Sequence, residues 1–192
     1  MKKLLTVSII FIALHGIALA DIQTDTSQYY IRQIQAENVA YTSCGFFKAI
    51  KEGNAGLVEK FLKAGMSPNT TIMKYPAISV AIKYNHNSIV KLLLDHGAKI
   101  NPVAENTTPL ITAIKHKNPE IVSTLIKYGA NVNQIADGLI PLNYAVKKQN
   151  TEIVEKLIKA GAITNEDVLA SGLKSRNENI KNLVLIHYKA TP

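Results

Sequence analysis

The sequence L-I-K-Y-G at residues 125–129 recurs with small changes every 32 residues: as F-L-K-A-G at 61–65, L-L-D-H-G at 93–97 and L-I-K-A-G at 157–161. An alanine keeps the same interval, at Ala49, Ala81, Ala113 and Ala145. A period of this length is typical of a solenoid array, in which stacked units share one continuous core. Since such an array leaves a long surface open, the period favours a binding module over an enzyme.

The apolar residues of one period predict two short helices. From 141 to 161, one helical face carries Leu142, Ala145 and Val146, and a second carries Ile153, Val154, Leu157 and Ile158. Pro109 and Pro141 begin first helices, because a first-turn residue needs no N–H donor. The periodic glycine ends the second helix by adopting the left-handed conformation.

A polar connector follows each glycine and is expected to form a projecting hairpin or loop. It carries an asparagine four residues after the glycine, at Asn69, Asn101, Asn133 and Asn165. An asparagine side chain at such a position is expected to bond the backbone of its own turn.

These motifs resemble the ankyrin-repeat family. Thr108-Pro109-Leu110 with Ala113, and Pro141-Leu142 with Ala145, match most of the family signature T-P-L-H-x-A. The resemblance covers about residues 43–190. It implies an all-α repeat solenoid of stacked helix-turn-helix repeats, with short hairpin connectors and helical caps. The chain departs from the family in its period of 32 instead of 33. It also departs at the signature histidine, which is replaced by Ser79, Ile111 and Asn143, and at Pro76, which lies one place early.

The motifs divide the chain into a leader, a cap and a repeat domain. We expect a cleavable signal peptide at 1–20, a capping helix at 21–42 and the repeat domain at 43–192. The repeats fall at about 43–74, 75–106, 107–138 and 139–168, and a shortened cap repeat follows at 169–190. The capping helix would bury Tyr30, Ile31, Ile34 and Val39. In an alternative role, the helix docks a partner through Tyr29, Tyr30 and Tyr41.

The leader predicts export. Lys2 and Lys3 precede an apolar run, and Ala18-Leu19-Ala20 offers small residues at the two positions that a signal peptidase reads. Cleavage is therefore expected between Ala20 and Asp21. The alternative is an uncleaved membrane anchor, but a span needs about 20 apolar residues, and His15 and Gly16 interrupt this run early. We expect a periplasmic or secreted protein.

The charge of the chain is clearly basic. Removing the leader lowers the formal charge from +8 to +6, because Lys2 and Lys3 leave with it. An exported chain would seldom meet nucleic acid, so an acidic protein surface is the expected partner and an anionic membrane surface the less favoured one. We expect a monomer when the protein is free.

The lone cysteine and the absent catalytic motifs limit the chemistry. Cys44 cannot form an internal disulfide. A buried, small apolar role is expected for it, ahead of an intermolecular disulfide or a nucleophile. The sequence contains no nucleophile elbow, phosphate-binding glycine loop or H-E-x-x-H pair, so neither catalysis nor a cofactor is expected. His86 matches the histidine that the ankyrin-repeat family often places between its helices, so the resemblance implies a structural hydrogen bond for it.

One positional pattern bears on function. A lysine lies two residues after the phase-marking alanine or its equivalent in every unit, at Lys51, Lys83, Lys115, Lys147 and Lys174. In ankyrin-repeat proteins this position and the next belong to the concave face that commonly contacts partners, so the resemblance places Glu52, Tyr84, His116, Lys148 and Ser175 beside the lysines. Of these, Tyr84, His116 and Lys148 join the candidate site. We call the five lysines the lysine ladder. Alternatively, the ladder is a solvated face, because helix C-termini favour cations whatever the partner.

The sequence therefore predicts a non-catalytic protein-binding module in the periplasm, with its ladder facing an acidic partner. An inhibitor or immunity-type binder of a toxic enzyme is the first expectation. A secreted effector that engages a host protein and a scaffold at an anionic membrane surface are the alternatives.

Overall fold

Each 32-residue period folds into two short helices joined by a tight turn, and a connector leads to the next pair. The computed structural model describes residues 19–190, with side chains from residue 23 onward. The predicted signal peptide therefore lies outside the described residues, apart from positions 19 and 20.

The helices are α1 (Leu19–Ala36), α2 (Ser43–Glu52), α3 (Ala55–Lys63), α4 (Ala77–Lys83), α5 (Asn87–Asp95), α6 (Pro109–Lys115), α7 (Pro119–Lys127), α8 (Pro141–Lys147), α9 (Thr151–Lys159), α10 (Glu166–Leu173) and α11 (Glu178–Ala190). Two short strands, β1 (Thr71–Ile72) and β2 (Tyr75–Pro76), lie between α3 and α4.

The helices stack in two layers. The first helices of the units, α2, α4, α6, α8 and α10, contact one another in order and form the inner layer. The second helices, α3, α5, α7, α9 and α11, do the same and form the outer layer. One core of almost entirely aliphatic and phenylalanine side chains runs between the layers through the whole stack. The predicted all-α repeat solenoid is confirmed.

The periodic glycines close the outer helices as predicted. Gly65, Gly97, Gly129 and Gly161 have φ between 84° and 99°. A second left-handed position recurs in the turn between inner and outer helices, at Gly53, Asn85, Lys117 and Gln149. Thus both helices of each of the first four units are followed by a left-handed residue, and only the residue after the outer helix is glycine in all four.

The connectors form hairpins in the first three units. β1 pairs antiparallel with β2, with Thr71 opposite Pro76 and Ile72 opposite Tyr75. The next two connectors shorten to single bridges, Ala104 with Thr107 and Ala136 with Leu139. Proline therefore ends a strand at position 76 and begins a helix at positions 109 and 141, which accounts for its early place in the second repeat.

Three of the connector asparagines bond the next repeat and not their own turn, so the expectation was wrong for these three and is confirmed for Asn165. Asn69 Nδ2 donates to the carbonyl of Gly97 at 3.3 Å, and its Oδ1 accepts from the N–H of Lys99 at 2.8 Å. Asn133 makes the same pair with Gly161 and Ile163, and Asn101 accepts from Asn131. The reason is that the left-handed glycine of the next unit leaves its carbonyl facing the connector. Asn165 differs, because it caps α10.

Both ends of the stack pack on the repeats. At the N-terminal end α1 lies on α3, with Ile34 fully buried and Lys60 paired with Glu37 at 2.5 Å. Tyr41 stacks on Phe61 and donates to the carbonyl of Ala64. Tyr30 is half-buried in this contact, and Tyr29 remains exposed. At the other end α11 packs on α9 and α10.

Cys44 is exposed, so the expected buried role is wrong. It is the second residue of α2, directly before the turn that carries the buried Phe46 and Phe47. This register leaves the thiol on the solvent side of the helix.

Candidate functional site

The lysine ladder lies exposed along the inner layer. Its first four members belong to the last turns of α2, α4, α6 and α8, and the fifth caps the C-terminal end of α10. Tyr84, His116 and Lys148 each cap the same helices one residue later and are also exposed. Because the inner helices are neighbours in order, the structure brings these eight residues to one edge of one layer.

A hairpin faces each of the first three gaps between successive inner helices, and the first two of these gaps form pockets. The first pocket has a volume of about 280 Å³ and is bounded by β1, β2, α2 and α4. It is lined by Lys51, Ile72, Met73, Tyr75, Ser79, Val80, Lys83 and Tyr84. The second has a volume of about 230 Å³ and lies one repeat further along. It is lined by Tyr75, Ser79, Lys83, Ala104, Glu105, Thr107, Thr112, Lys115 and His116. The two pockets are adjacent, since they share Tyr75, Ser79 and Lys83, and we call them together the groove.

Tyr144 occupies the place where a third pocket would follow. It stands 32 residues after Thr112 and 64 after Val80, which line the second and first pockets. Its ring is only 8% exposed, and its hydroxyl donates to the carbonyl of Ala136 in the third hairpin at 3.2 Å. At α8 the Tyr144 ring therefore fills the space that Val80 and Thr112 leave open at α4 and α6.

Lys115 lies at the boundary between the open and the filled position. Its Nζ is 4.9 Å from the centroid of the Tyr144 ring, a cation–π distance. Burial raises the pKa of the Tyr144 phenol, and the Asp137 carboxylate raises it further. The hydroxyl therefore stays protonated and continues to donate to the hairpin. This contact holds the Lys115 ammonium beside the second pocket.

Tyr84 is positioned by the adjacent turn. Its ring stacks on that of His86, with centroids 6.5 Å apart and planes inclined by 9°. His86 Nε2 in turn lies 3.1 Å from the carbonyl oxygen of Lys51, which confirms the expected structural hydrogen bond. The chain of contacts links the C-terminal ends of α2 and α4 at the rim of the first pocket.

The positive charge of the groove is only partly opposed. Among the described residues, Glu105 lies in the lining of the second pocket and no acidic side chain lines the first. Glu52, next to Lys51, lies 3.9 Å from Lys48 in an exposed pair. Exposed pairs of this length contribute little, so they leave the groove basic.

The hairpin side of the groove was missed in the sequence. Met73 and Tyr75 are exposed large apolar residues, and within residues 19–190 the buried hydroxyl of Thr107 makes no hydrogen bond. Aligning the connectors at the 32-residue period would have shown the signal, since Tyr75, Thr107 and Leu139 share one position. The periodic alanines and lysines lie on the inner helices, so they indicate only the helical side of the groove.

The family comparison agrees with this architecture. The model for ankyrin repeats (3 copies) matches residues 46–136 and 103–168, which together cover more than half of the chain. The chain belongs to the ankyrin-repeat family. Ankyrin-repeat proteins are generally protein–protein interaction modules, so this protein is assigned to that broad class. No curated protein matches the sequence significantly.

Residues 19–190 contain no group of three or more His, Cys, Asp or Glu side chains able to hold a metal ion. No helix in the same part of the chain is both long and apolar enough to cross a membrane.

Proposed function

We propose that this ankyrin-repeat protein is exported and binds an acidic protein surface through its groove and lysine ladder. It acts by stoichiometric binding, without turnover or a cofactor. An inhibitor or immunity-type binder that covers a toxic enzyme in the periplasm is the use that we favour.

The observation that carries the proposal is the alignment of the ladder with the pockets. Lys51 and Lys83 line the first pocket, and Lys83 and Lys115 line the second. A partner seated there would meet cations on both sides of each gap. Lysines about 8–10 Å apart lie about one Debye length from one another, so their fields add and speed the encounter with an acidic surface.

Export is supported by the leader alone. Lys2 and Lys3, the apolar run and the Ala18-Leu19-Ala20 site have the order of a secretory signal. The mature N-terminus of the exported protein, read by mass spectrometry, is expected at Asp21. Any other first residue would overturn the cleavage site.

The proposal is tested by reversing charge on one face at a time. The ladder variant replaces Lys83, Lys115 and Lys147 with Glu, and the matched control replaces the exposed outer-helix lysines Lys91, Lys127 and Lys159 with Glu. Both variants change the formal charge equally. In affinity capture from periplasmic extract, the ladder variant should lose the partner that the control retains. If both variants capture the partner equally well, the proposal is wrong.

Two other uses of the same surface give different results. A secreted effector that engages a host protein would be found outside the cell, and not in the periplasmic fraction. A scaffold at an anionic membrane surface would sediment with anionic vesicles at low salt and leave them at high salt, because surface charge is screened. Either result would replace the inhibitor role while keeping the basic face as the binding surface.

A further inference from the structure

We infer that the groove recognises an extended acidic segment of its partner, taking an apolar side chain in the first pocket and a carboxylate in the second. This inference rests on the proposed function and adds which side chains of the partner are read. It also sets a limit on the length of the segment, because Tyr144 closes the next position.

The first pocket suits an apolar side chain. Ile72, Met73 and Tyr75 approach it from the hairpin, and Val80 and Tyr84 from α4. Met73 is 86% exposed, and Tyr75 and Tyr84 are also exposed. Methionine and tyrosine are typical of interface cores, where their large side chains adapt to or anchor an apolar partner group. Lys51 on α2 and Lys83 on α4 border this apolar surface from opposite sides.

The second pocket suits a carboxylate. Lys83 and Lys115 border it from α4 and α6, with His116 beside them. Its lining also includes Thr107, whose hydroxyl is buried and makes no hydrogen bond within the described structure. A carboxylate offers acceptors to both ammonium groups and to this hydroxyl. Glu105 is the opposing charge, but its side chain is exposed at the hairpin, and the lysines outnumber it.

The spacing of the pockets fixes the register of the segment. Neighbouring inner helices lie about 8–10 Å apart, and an extended chain advances about 3.3 Å per residue. The apolar and acidic residues of the partner should therefore be two or three positions apart. A continuous helix is a poorer fit, because two residues advance only about 3 Å along its axis.

Tyr144 makes the groove two pockets long. The same position carries Val80 in the first pocket and Thr112 in the second, so the larger ring removes the space that these smaller side chains leave. This difference supplies a matched pair of substitutions. Thr112→Tyr places the native residue of the third repeat in the second pocket, and Tyr144→Thr places that of the second repeat in the third position.

The test uses a library of random dodecapeptides displayed on phage, selected against the full purified protein at low salt. We expect enrichment of peptides with an apolar residue two or three positions from Asp or Glu. A synthetic peptide of the selected sequence should bind Thr112→Tyr at least about ten-fold more weakly, the loss expected for one charged hydrogen bond. Selection without an acidic position, or no enriched peptide, would overturn the inference.

Thr107→Val tests the carboxylate contact with almost no change in shape. The native protein should prefer the selected peptide over its copy with Asn for Asp, and the variant should lose about ten-fold of that preference. Selection against the Tyr144→Thr variant should enrich peptides that share a preferred residue at one additional position, because the substitution opens a third pocket. If Thr107→Val keeps the preference for the acidic peptide and Thr112→Tyr keeps the affinity for it, the second pocket does not bind the carboxylate.

The two proposals fail in different ways. If charge reversal of the ladder abolishes partner capture while Thr112→Tyr leaves both partner and peptide binding intact, the pocket assignment is wrong and the proposed function stands. If capture survives charge reversal of the ladder, the proposed function is wrong. Circular dichroism of each variant should show native helix content, and Thr107→Val provides a reading even if a tyrosine variant does not fold.

Discussion

At the scale of single residues, the repeat period gives each side chain a set of natural comparators. Val80, Thr112 and Tyr144 occupy one position in three successive units, and their sizes decide which gaps stay open. Comparing equivalent positions of the units distinguishes residues that maintain the fold from residues that shape the binding surface. Positions that hold alanine or glycine in every unit maintain the stack, whereas positions that vary shape the surface.

Asn133 shows how a small polar side chain joins two units. Its amide donates to the carbonyl of Gly161 at 3.1 Å and accepts from the N–H of Ile163 at 2.8 Å. Replacing it with Ala should lower the free energy of unfolding by about 1–2 kcal/mol, because two hydrogen bonds between repeats are lost. Urea denaturation measures this difference.

Gln134→Ala is the control for that substitution. Gln134 is the adjacent half-buried connector residue. Its backbone N–H donates to the carbonyl of Asn131, and replacing the side chain leaves that hydrogen bond in place. If Gln134→Ala lowers the free energy of unfolding as much as Asn133→Ala does, the effect comes from the connector in general. The hydrogen bonds of Asn133 to the next repeat would then not explain it.

At the scale of elements, the helices follow from the sequence and the details of their contacts do not. Pro109 and Pro141 begin α6 and α8, and the left-handed glycines end the outer helices, as their local chemistry requires. The reach of the connector asparagines depends on how near the next unit comes, and the exposure of Cys44 depends on which side of α2 faces the core. A one-dimensional pattern records periodicity but not that distance.

The last repeat contains a glycine where the other units have alanine. Gly172 lies in α10, and a Cβ atom there would stand 2.7 Å from Val184 Cγ1 of α11. This close approach explains the exception, because α11 packs directly over that position. The sequence showed that the residue changed, but the cause lies in the packing of the final helix pair.

Gly172→Ala should therefore destabilise the C-terminal unit by about 1–3 kcal/mol, the usual effect of overpacking. Alanine has the higher helix propensity, by about 1 kcal/mol, so the sign of the change distinguishes packing from propensity. Amide hydrogen exchange in α11 should accelerate. The same substitution made in a Val184→Ala background should be less harmful, and an equal effect in both backgrounds would argue against the contact.

At the scale of the whole molecule, the period predicted the solenoid because many residue types recur in phase and one interval satisfies them all. The lysine ladder was found in the same way, since it is periodic. The pockets were not found, because they are formed between units by residues that differ from unit to unit. Met73, Thr107 and Tyr144 acquire their roles only when hairpin and helix layers meet.

The central claim is that one face of the stack, the face with the ladder, binds the partner. The most direct measurement is lysine acetylation of the protein, free and in complex, with each site quantified by mass spectrometry. Lys51, Lys83, Lys115 and Lys147 should be protected in the complex, while the outer-helix lysines Lys91, Lys127 and Lys159 should react at unchanged rates. Protection of the outer lysines with a fully reactive ladder would contradict the account.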